Sequence, residues 1–249
     1  MRFARTLQLL GVDNFARLNQ ASVAIFGIGA VGSYAVEALA RAGVGRLVLY
    51  DHDVVSASNI NRQLLALDST LGRSKVVVAS ERIHDINPEC KVMAHPVFVN
   101  EESLGGICFS DFDVVVDAID GVNAKVNLIV AAHTAQVPIV SSMGAAAKLD
   151  PSCVQAADLS RTEVCPLAQI MRKRLRRRGV STGVRCVFST EQPCNTNPPV
   201  VNEAPEHEGG GRPRVPLGSL SYLTGIFGLF VASEVIHLLL HRTSRGSTE

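Results

Sequence analysis

The run SVAIF–GIGAVG–SYAVEALARA–GVG–RLVLY–D, Ser22 to Asp51, is the most informative part of this chain. SVAIF (22–26) is continuously apolar and partly β-branched, the pattern of a strand covered on both faces. Gly27, Gly29 and Gly32 follow it as a GxGxxG turn. In such a turn the first glycine permits the sharp bend and the second lets a phosphate approach the backbone. The third lets the next helix pack close to the strand. Residues 30–42 read as an apolar-faced helix and RLVLY (46–50) as a second buried strand. The unit is a βαβ crossover of about 30 residues. Asp51 ends the second strand, where a carboxylate accepts hydrogen bonds from ribose hydroxyls. These residues define a nucleotide site and leave NAD, FAD and ATP all open.

Working outward, the alternation continues. Residues 73–86 read as a helix stopped by Asn87-Pro88, with Arg82 and Asp85 facing solvent. KVMAH (91–95) is a short strand, FDVVVDAI (112–119) an apolar strand ending in acid, 122–136 a helix and VPIVSS (137–142) a strand. Strands alternating with helices predict an α/β, Rossmann-like doubly wound sheet. Past Gly144 the pattern becomes irregular α+β: helical over 164–178, then a strand GVRCVFS (183–189). Residues 191–216 hold six of the 11 prolines and Gly209 to Gly211, and read as a long loop. The expected division is 1–145 for the nucleotide-binding domain and 146–249 for a part that completes the same fold. No fixed-period repeat is visible.

Composition narrows the classes. In 249 residues, 47% are hydrophobic and 19% charged, which excludes global disorder. Lys+Arg number 24 against Asp+Glu 23, so there is no overall pull toward nucleic acid or membrane, and such a partner needs a local patch. DNA is not an expected partner. The opening MRFARTLQLLG lacks a secretory apolar core, so a reduced cytoplasm is the default. The six cysteines, Cys90, Cys108, Cys153, Cys165, Cys186 and Cys194, form no CxxC pair, which argues against a zinc ribbon. Residues 217–240 are strongly apolar, and nineteen residues from Val215 to Ser233 carry no charge. That is borderline for a membrane span; Gly218, Gly225 and Gly228 favour a helix packed on the sheet or on a second copy.

The residues after Asp51 separate the cofactors. Asn59-x-x-Arg62-Gln63 and Gly72-Arg73-Ser74-Lys75 bring cations that a hydride-transfer site does not need. Arg62 and Lys75 suit a triphosphate whose charge must be neutralised during cleavage. Asp117 and Asp120 end a strand, where one can hold Mg²⁺ against phosphates. His52, beside Asp51, reads first as a plain loop residue and second as a contact for ribose or adenine.

This constellation resembles the E1-like adenylating superfamily, over residues 2 to about 145. The resemblance implies that Gly27, Gly29, Gly32, Asp51, Asn59, Arg62, Gln63 and Lys75 bind ATP. It implies that Arg62, Lys75 and Asp120 are catalytic, and that Asp120 holds Mg²⁺. The opening Arg2-Phe-Ala-Arg5 is similar to a motif whose second arginine reaches the partner's ATP across a homodimer, which makes Arg5 a candidate contact. The second half is similar to the tRNA threonylcarbamoyladenosine dehydratase family. Ile86-Asn-Pro-Glu-Cys90, Asp150-Pro151, Asp158-Leu-Ser-Arg-Thr162, Pro166-Leu-Ala168 and Cys186-Val-Phe-Ser-Thr-Glu191 carry that likeness. It implies ATP-dependent cyclisation of threonylcarbamoyladenosine in tRNA through an activated carboxylate. The alternative within the superfamily is adenylation of a ubiquitin-like or sulfur-carrier protein's C-terminus, with such a carrier as partner.

Arg172, Lys173, Arg174, Arg176, Arg177 and Arg178 put six cations into seven residues. On a helix some must face outward, and a polyanion such as tRNA would find a phosphate-binding face there. With Trp 0 and Tyr 3, base-stacking platforms are not evident. Cys165 and Cys186 are the positions open to a nucleophilic role, although most cysteines in such a protein are small buried hydrophobes.

Overall fold

A computed structural model describes residues 2–194 and 217–241. In chain order the elements are α1 (Ala4–Gln20), β1 (Ser22–Phe26), α2 (Gly32–Ala42), β2 (Arg46–Tyr50), α3 (Lys75–Ile86), β3 (Lys91–His95) and α4 (Glu101–Gly105). Then come β4 (Val114–Asp117), α5 (Val122–Thr134), β5 (Ile139–Ser142), β6 (Val154–Asp158), α6 (Pro166–Arg176), β7 (Arg185–Ser189) and α7 (Ser221–His241).

One seven-stranded sheet runs β3-β2-β1-β4-β5-β7-β6. All neighbours are parallel except β6, which pairs antiparallel with β7 at the edge. Strand order reverses between β1 and β4, so the carboxyl ends of these two strands open the crevice where ligands bind in such sheets. The alternation of side chains explains the continuous apolar strands. Val23, Ile25, Leu47, Leu49, Val114 and Val116 pack toward α2, α3 and α7. Ala24, Phe26, Val48, Tyr50 and Val115 pack toward α5 and α6. Phe26 and Tyr50 stack at 4.4 Å and Tyr50 and His95 at 4.8 Å, an aromatic floor just below the strand ends.

α7 packs one face into the fold. Leu223, Phe227, Val231, Val235 and Leu239, four residues apart, are buried on one stripe. Each fully buried side chain of this kind contributes about 1.5–3 kcal/mol. The stripe meets α2, where a Cβ on Gly228 would stand 2.4 Å from the Val31 carbonyl oxygen. The glycine-spaced helix is therefore packed on α2 and the sheet.

Several sequence boundaries move. Helix 73–86 starts at Lys75, because Ser74 bridges to Val54 instead. The strand expected over 112–119 is a strand only over Val114–Asp117. Arg82 does not simply face solvent: its guanidinium grips Glu37 of α2 at 2.6 Å. Asp85 is exposed as expected. Of the proline-rich loop, Asn195 to Pro216 lies outside the described residues.

Candidate active site

Gly27 turns with φ +88°, and its N–H bonds to the Tyr50 carbonyl at 2.8 Å. A Cβ there would strike the Ala118 carbonyl oxygen at 2.7 Å, so the β1 turn presses directly on the link after β4. A Cβ on Gly32 would lie 1.8 Å from the Gly27 oxygen, which makes that glycine obligatory for α2 to begin so close to the strand. Gly29 is different. The nearest atom to its notional Cβ is Gln63 Nε2 at 3.8 Å, so this stretch of backbone is open to an approaching phosphate. The first turn of α2 adds the positive end of the helix dipole, with its Ser33 and Ala35 N–H groups already bonded to the Gly29 and Val31 carbonyls.

Asp51 organises the site's rim. One carboxylate oxygen accepts from Ile28 N–H at 2.6 Å and the other from Asp53 N–H at 2.8 Å, which ties the glycine turn to the β2 loop. Each oxygen keeps a lone pair for a ribose hydroxyl. Burial pushes the Asp51 carboxyl above its usual range, against the pull of Lys75 and of these two N–H groups. Lys75 begins α3 with its side chain only 5% exposed, and its ammonium sits 2.6 Å from Asp53. Asp51, His52 and Asp53 converge within 4.8 Å, and the Lys75 ammonium already contacts this acidic group at Asp53. His52 turns to Asp53 at 3.2 Å and to the edge of Phe98.

Asn59 and Gln63 are both buried. Asn59 Oδ1 accepts from Ser56 N–H, so its side chain shapes the loop that carries Arg62. Arg62 donates to the Ser58 carbonyl at 2.7 Å and to Asn61 Oδ1 at 3.0 Å. This loop is docked on the C-terminal helix: Asn61 Nδ2 donates to the Ser219 carbonyl and Thr224 Oγ1 to the Arg62 carbonyl.

The two strand-end acids part company. Asp120 is exposed, with no hydrogen bond or ion pair to its side chain among the described residues, and fits a Mg²⁺ ligand. Asp117 is wholly buried and held by Lys125 at 2.7 Å and Ser141 at 2.6 Å, so it faces the core and not an ion arriving from solvent. Arg5 lies on the exposed first turn of α1 and makes no side-chain hydrogen bond within the described chain.

Arg174 bonds Asn123 Oδ1 at 2.5 Å, which joins α6 to the first turn of α5, three residues beyond Asp120. Arg172 turns inward to Thr162, while Lys173, Arg174, Arg176, Arg177 and Arg178 are exposed. Cys165 and Cys186 are buried, and burial pushes the Cys186 thiol up to about 12, so it is no thiolate nucleophile at neutral pH.

Sequence reasoning missed two parts of the surroundings. Lys125 is one. The other is a clamp in which Glu191 accepts from the N–H groups of Leu149 and Asp150 while the buried Lys148 donates to the Glu191 carbonyl. Ala147 is bonded on either side, its carbonyl by Cys194 N–H and its N–H to the Gly218 carbonyl, each at 2.7 Å. The motif ending at Glu191 was visible in sequence; its partners, 41 and 42 residues away, were not.

A glycine turn at the reversal point of a parallel sheet, rimmed by a ribose-type acid and two cations, defines a nucleotide-binding α/β protein of the E1-like adenylating kind. The chain belongs to the ThiF family, whose profile matches residues 3–248. It is 40% identical to the tRNA threonylcarbamoyladenosine dehydratase of Bacillus subtilis over 240 residues, 96% of this chain and 94% of that one. Among solved structures it is similar to the Escherichia coli tRNA N6-threonylcarbamoyladenosine dehydratase in complex with AMP, at TM-score 0.84 and 35% identity, covering 96% of this chain and 94% of that one. The same Escherichia coli protein in complex with ATP matches at TM-score 0.83 and 33% identity, covering 96% and 93%.

Proposed function

We propose that this protein uses ATP to dehydrate N6-threonylcarbamoyladenosine in tRNA to its cyclic form. The end-to-end likeness to named dehydratases carries the reading, and the pocket has the parts that the chemistry requires. In this reading the Gly27–Gly32 turn receives the phosphates and Asp51 the ribose, with Asn59 and Gln63 shaping the loop above. Arg62 and Lys75 neutralise charge as the phosphoanhydride breaks. Asp120 holds Mg²⁺, which supplies further charge neutralisation at the phosphates.

The threonyl carboxylate is a poor electrophile because oxide is a poor leaving group. Its oxygen attacks the α-phosphorus, pyrophosphate leaves and an acyl adenylate forms. The carbamoyl group of the same molecule then attacks the acyl carbon, a proton is lost and AMP departs with the former carboxylate oxygen. The balance is loss of one water and closure of a five-membered ring. Intramolecular attack gains from proximity and needs no enzyme nucleophile, in accord with the buried Cys165 and Cys186.

The exposed cations Lys173, Arg174, Arg176, Arg177 and Arg178, with Arg172 bracing their helix, form the tRNA phosphate surface in this reading. The Arg174–Asn123 bond puts that surface beside the Asp120 loop. A second copy is the proposed cover for α1, which buries only Leu18 and leaves Leu9 83% and Val12 71% exposed. Such a dimer would give Arg5 a route to the partner's nucleotide, and light scattering at twice the chain mass checks it. The cytoplasm, where tRNA and ATP meet, is the proposed compartment. Mass spectrometry of tRNA nucleosides from cells with and without this protein tests the function. The cyclic nucleoside should be present in the first and replaced by the open form in the second; identical nucleosides in both reject the reading.

A further inference from the structure

Asp117 and Lys125 are both 0% exposed, and the steps above use neither. The Lys125 ammonium lies 2.7 Å from Asp117 Oδ2 and 2.9 Å from the Ser142 carbonyl oxygen. Ser141 Oγ donates to the same Asp117 oxygen at 2.6 Å. The other Asp117 oxygen accepts from Ile119 N–H at 3.2 Å, inside the link between β4 and Asp120. That link is the one whose Ala118 carbonyl presses on Gly27. One buried ion pair thus joins the ends of β4 and β5, the fourth residue of α5 and the segment that presents Asp120.

Stability does not account for it. Removing two charges from water is costly, and replacing a buried pair with well-packed apolar residues is often neutral or stabilising. What apolar residues cannot do is hold a backbone N–H in one direction. We propose that the Asp117–Lys125 pair positions Asp120, by fixing the short link between β4 and α5 from beneath. The inference rests on Asp120 as the Mg²⁺ ligand. Asp117 and Lys125 touch no reactant; they act through the link.

The test compares Asp117→Leu/Lys125→Met, Ser141→Ala and Asp120→Asn with the wild-type chain. The double variant removes both charges together and should keep the wild-type Tm or exceed it. Its kcat for tRNA cyclisation should fall on the order of 10²-fold, as for about 1 Å of misplacement. KM for ATP should change by less than about threefold, because the glycine turn and Asp51 are untouched. The half-saturating Mg²⁺ concentration should rise. Independently of turnover, amide hydrogen exchange over 118–121 should speed up while β4 itself stays protected.

A folded double variant with wild-type exchange, Mg²⁺ titration and kcat overturns the proposal. If the double variant does not fold, Ser141→Ala removes the 2.6 Å hydrogen bond to Asp117 and the 3.4 Å one from Lys125 while leaving the ion pair. It should shift exchange and Mg²⁺ demand the same way at nearly unchanged Tm, and wild-type behaviour in both is again contrary. Asp120→Asn separates the two claims. A wild-type Mg²⁺ titration in that variant defeats the metal assignment, whereas a shift there without one in the double variant defeats the positioning role alone.

Discussion

Arg62 and Lys75 are held before any nucleotide arrives, Lys75 by Asp53 and Arg62 by the Ser58 carbonyl. Groups fixed in this way stabilise developing charge without reorganising, so their loss should fall on turnover. Arg62→Ala and Lys75→Ala should each lower kcat roughly 10²-fold with much smaller changes in ATP affinity. Equal, small losses in both parameters, measured by steady-state kinetics and calorimetry, would assign these residues to uniform binding. Asp51 gives a pH signature. Its carboxyl is raised above the usual aspartate value of 3.8, so on acidification the folded chain takes up this proton before the unfolded chain does. Its contribution to folding stability therefore rises as pH falls through the folded value and is complete below the unfolded one. Ribose binding runs the other way, because a protonated carboxyl is a poorer acceptor. ATP affinity should weaken on acidification at a pH above 3.8, and Asp51→Asn should lose that component. A wild-type pH profile in Asp51→Asn would remove Asp51 from the ribose. At this scale the glycines and Asp51 were legible because their backbone task allows few other residues. Lys125 was illegible because a lysine on a helix normally reads as a solvated charge, and its partners Asp117 and Ser141 lie 8 and 16 residues away.

At the scale of elements, continuous apolar strands announced β1, β2 and β4 because both faces of the sheet are covered. β6 escaped notice: VQAAD is half-exposed and lies antiparallel at the edge, so burial imposes little pattern on it. α4, five residues fixed by an Asn100 cap, is too short for a periodic signal. The apolar run of α7 left membrane, core and dimer readings open; the four-residue spacing of its buried stripe packs one face on α2, while Leu229 and Phe230 stay exposed on the other. α6 yields to a direct experiment. Met171 and Leu175 anchor it in the core, so its exposed arginines can change without unfolding it. Reversing Arg174, Arg176 and Arg177 to Glu should weaken tRNA binding and flatten its salt dependence, because fewer counterions are released. ATP binding should be unaffected. Equal tRNA affinity for variant and wild type at two salt concentrations would leave α6 a solvated face.

Across the whole molecule, the proposed nucleotide pocket draws on both halves of the chain. β7 and β6 extend the sheet beyond β5, and Ser219 and Thr224 hold the loop bearing Asn61 and Arg62. The first half alone announced the nucleotide site; that the last helix secures it follows only from contacts 158 and 162 residues apart. The same long-range packing brings the basic end of α6 beside the Asp120 loop, so the proposed RNA surface adjoins the proposed phosphate chemistry. In the proposed function, ATP cleavage serves ring closure on tRNA. Purified protein, ATP, Mg²⁺ and tRNA bearing threonylcarbamoyladenosine should give, in a single-turnover mixture, one AMP and one pyrophosphate for each cyclic nucleoside formed. Chromatography of the nucleotides beside mass spectrometry of the digested tRNA measures both. Cyclic nucleoside formed without ATP, or ATP cleaved to AMP while the tRNA stays open, would contradict it.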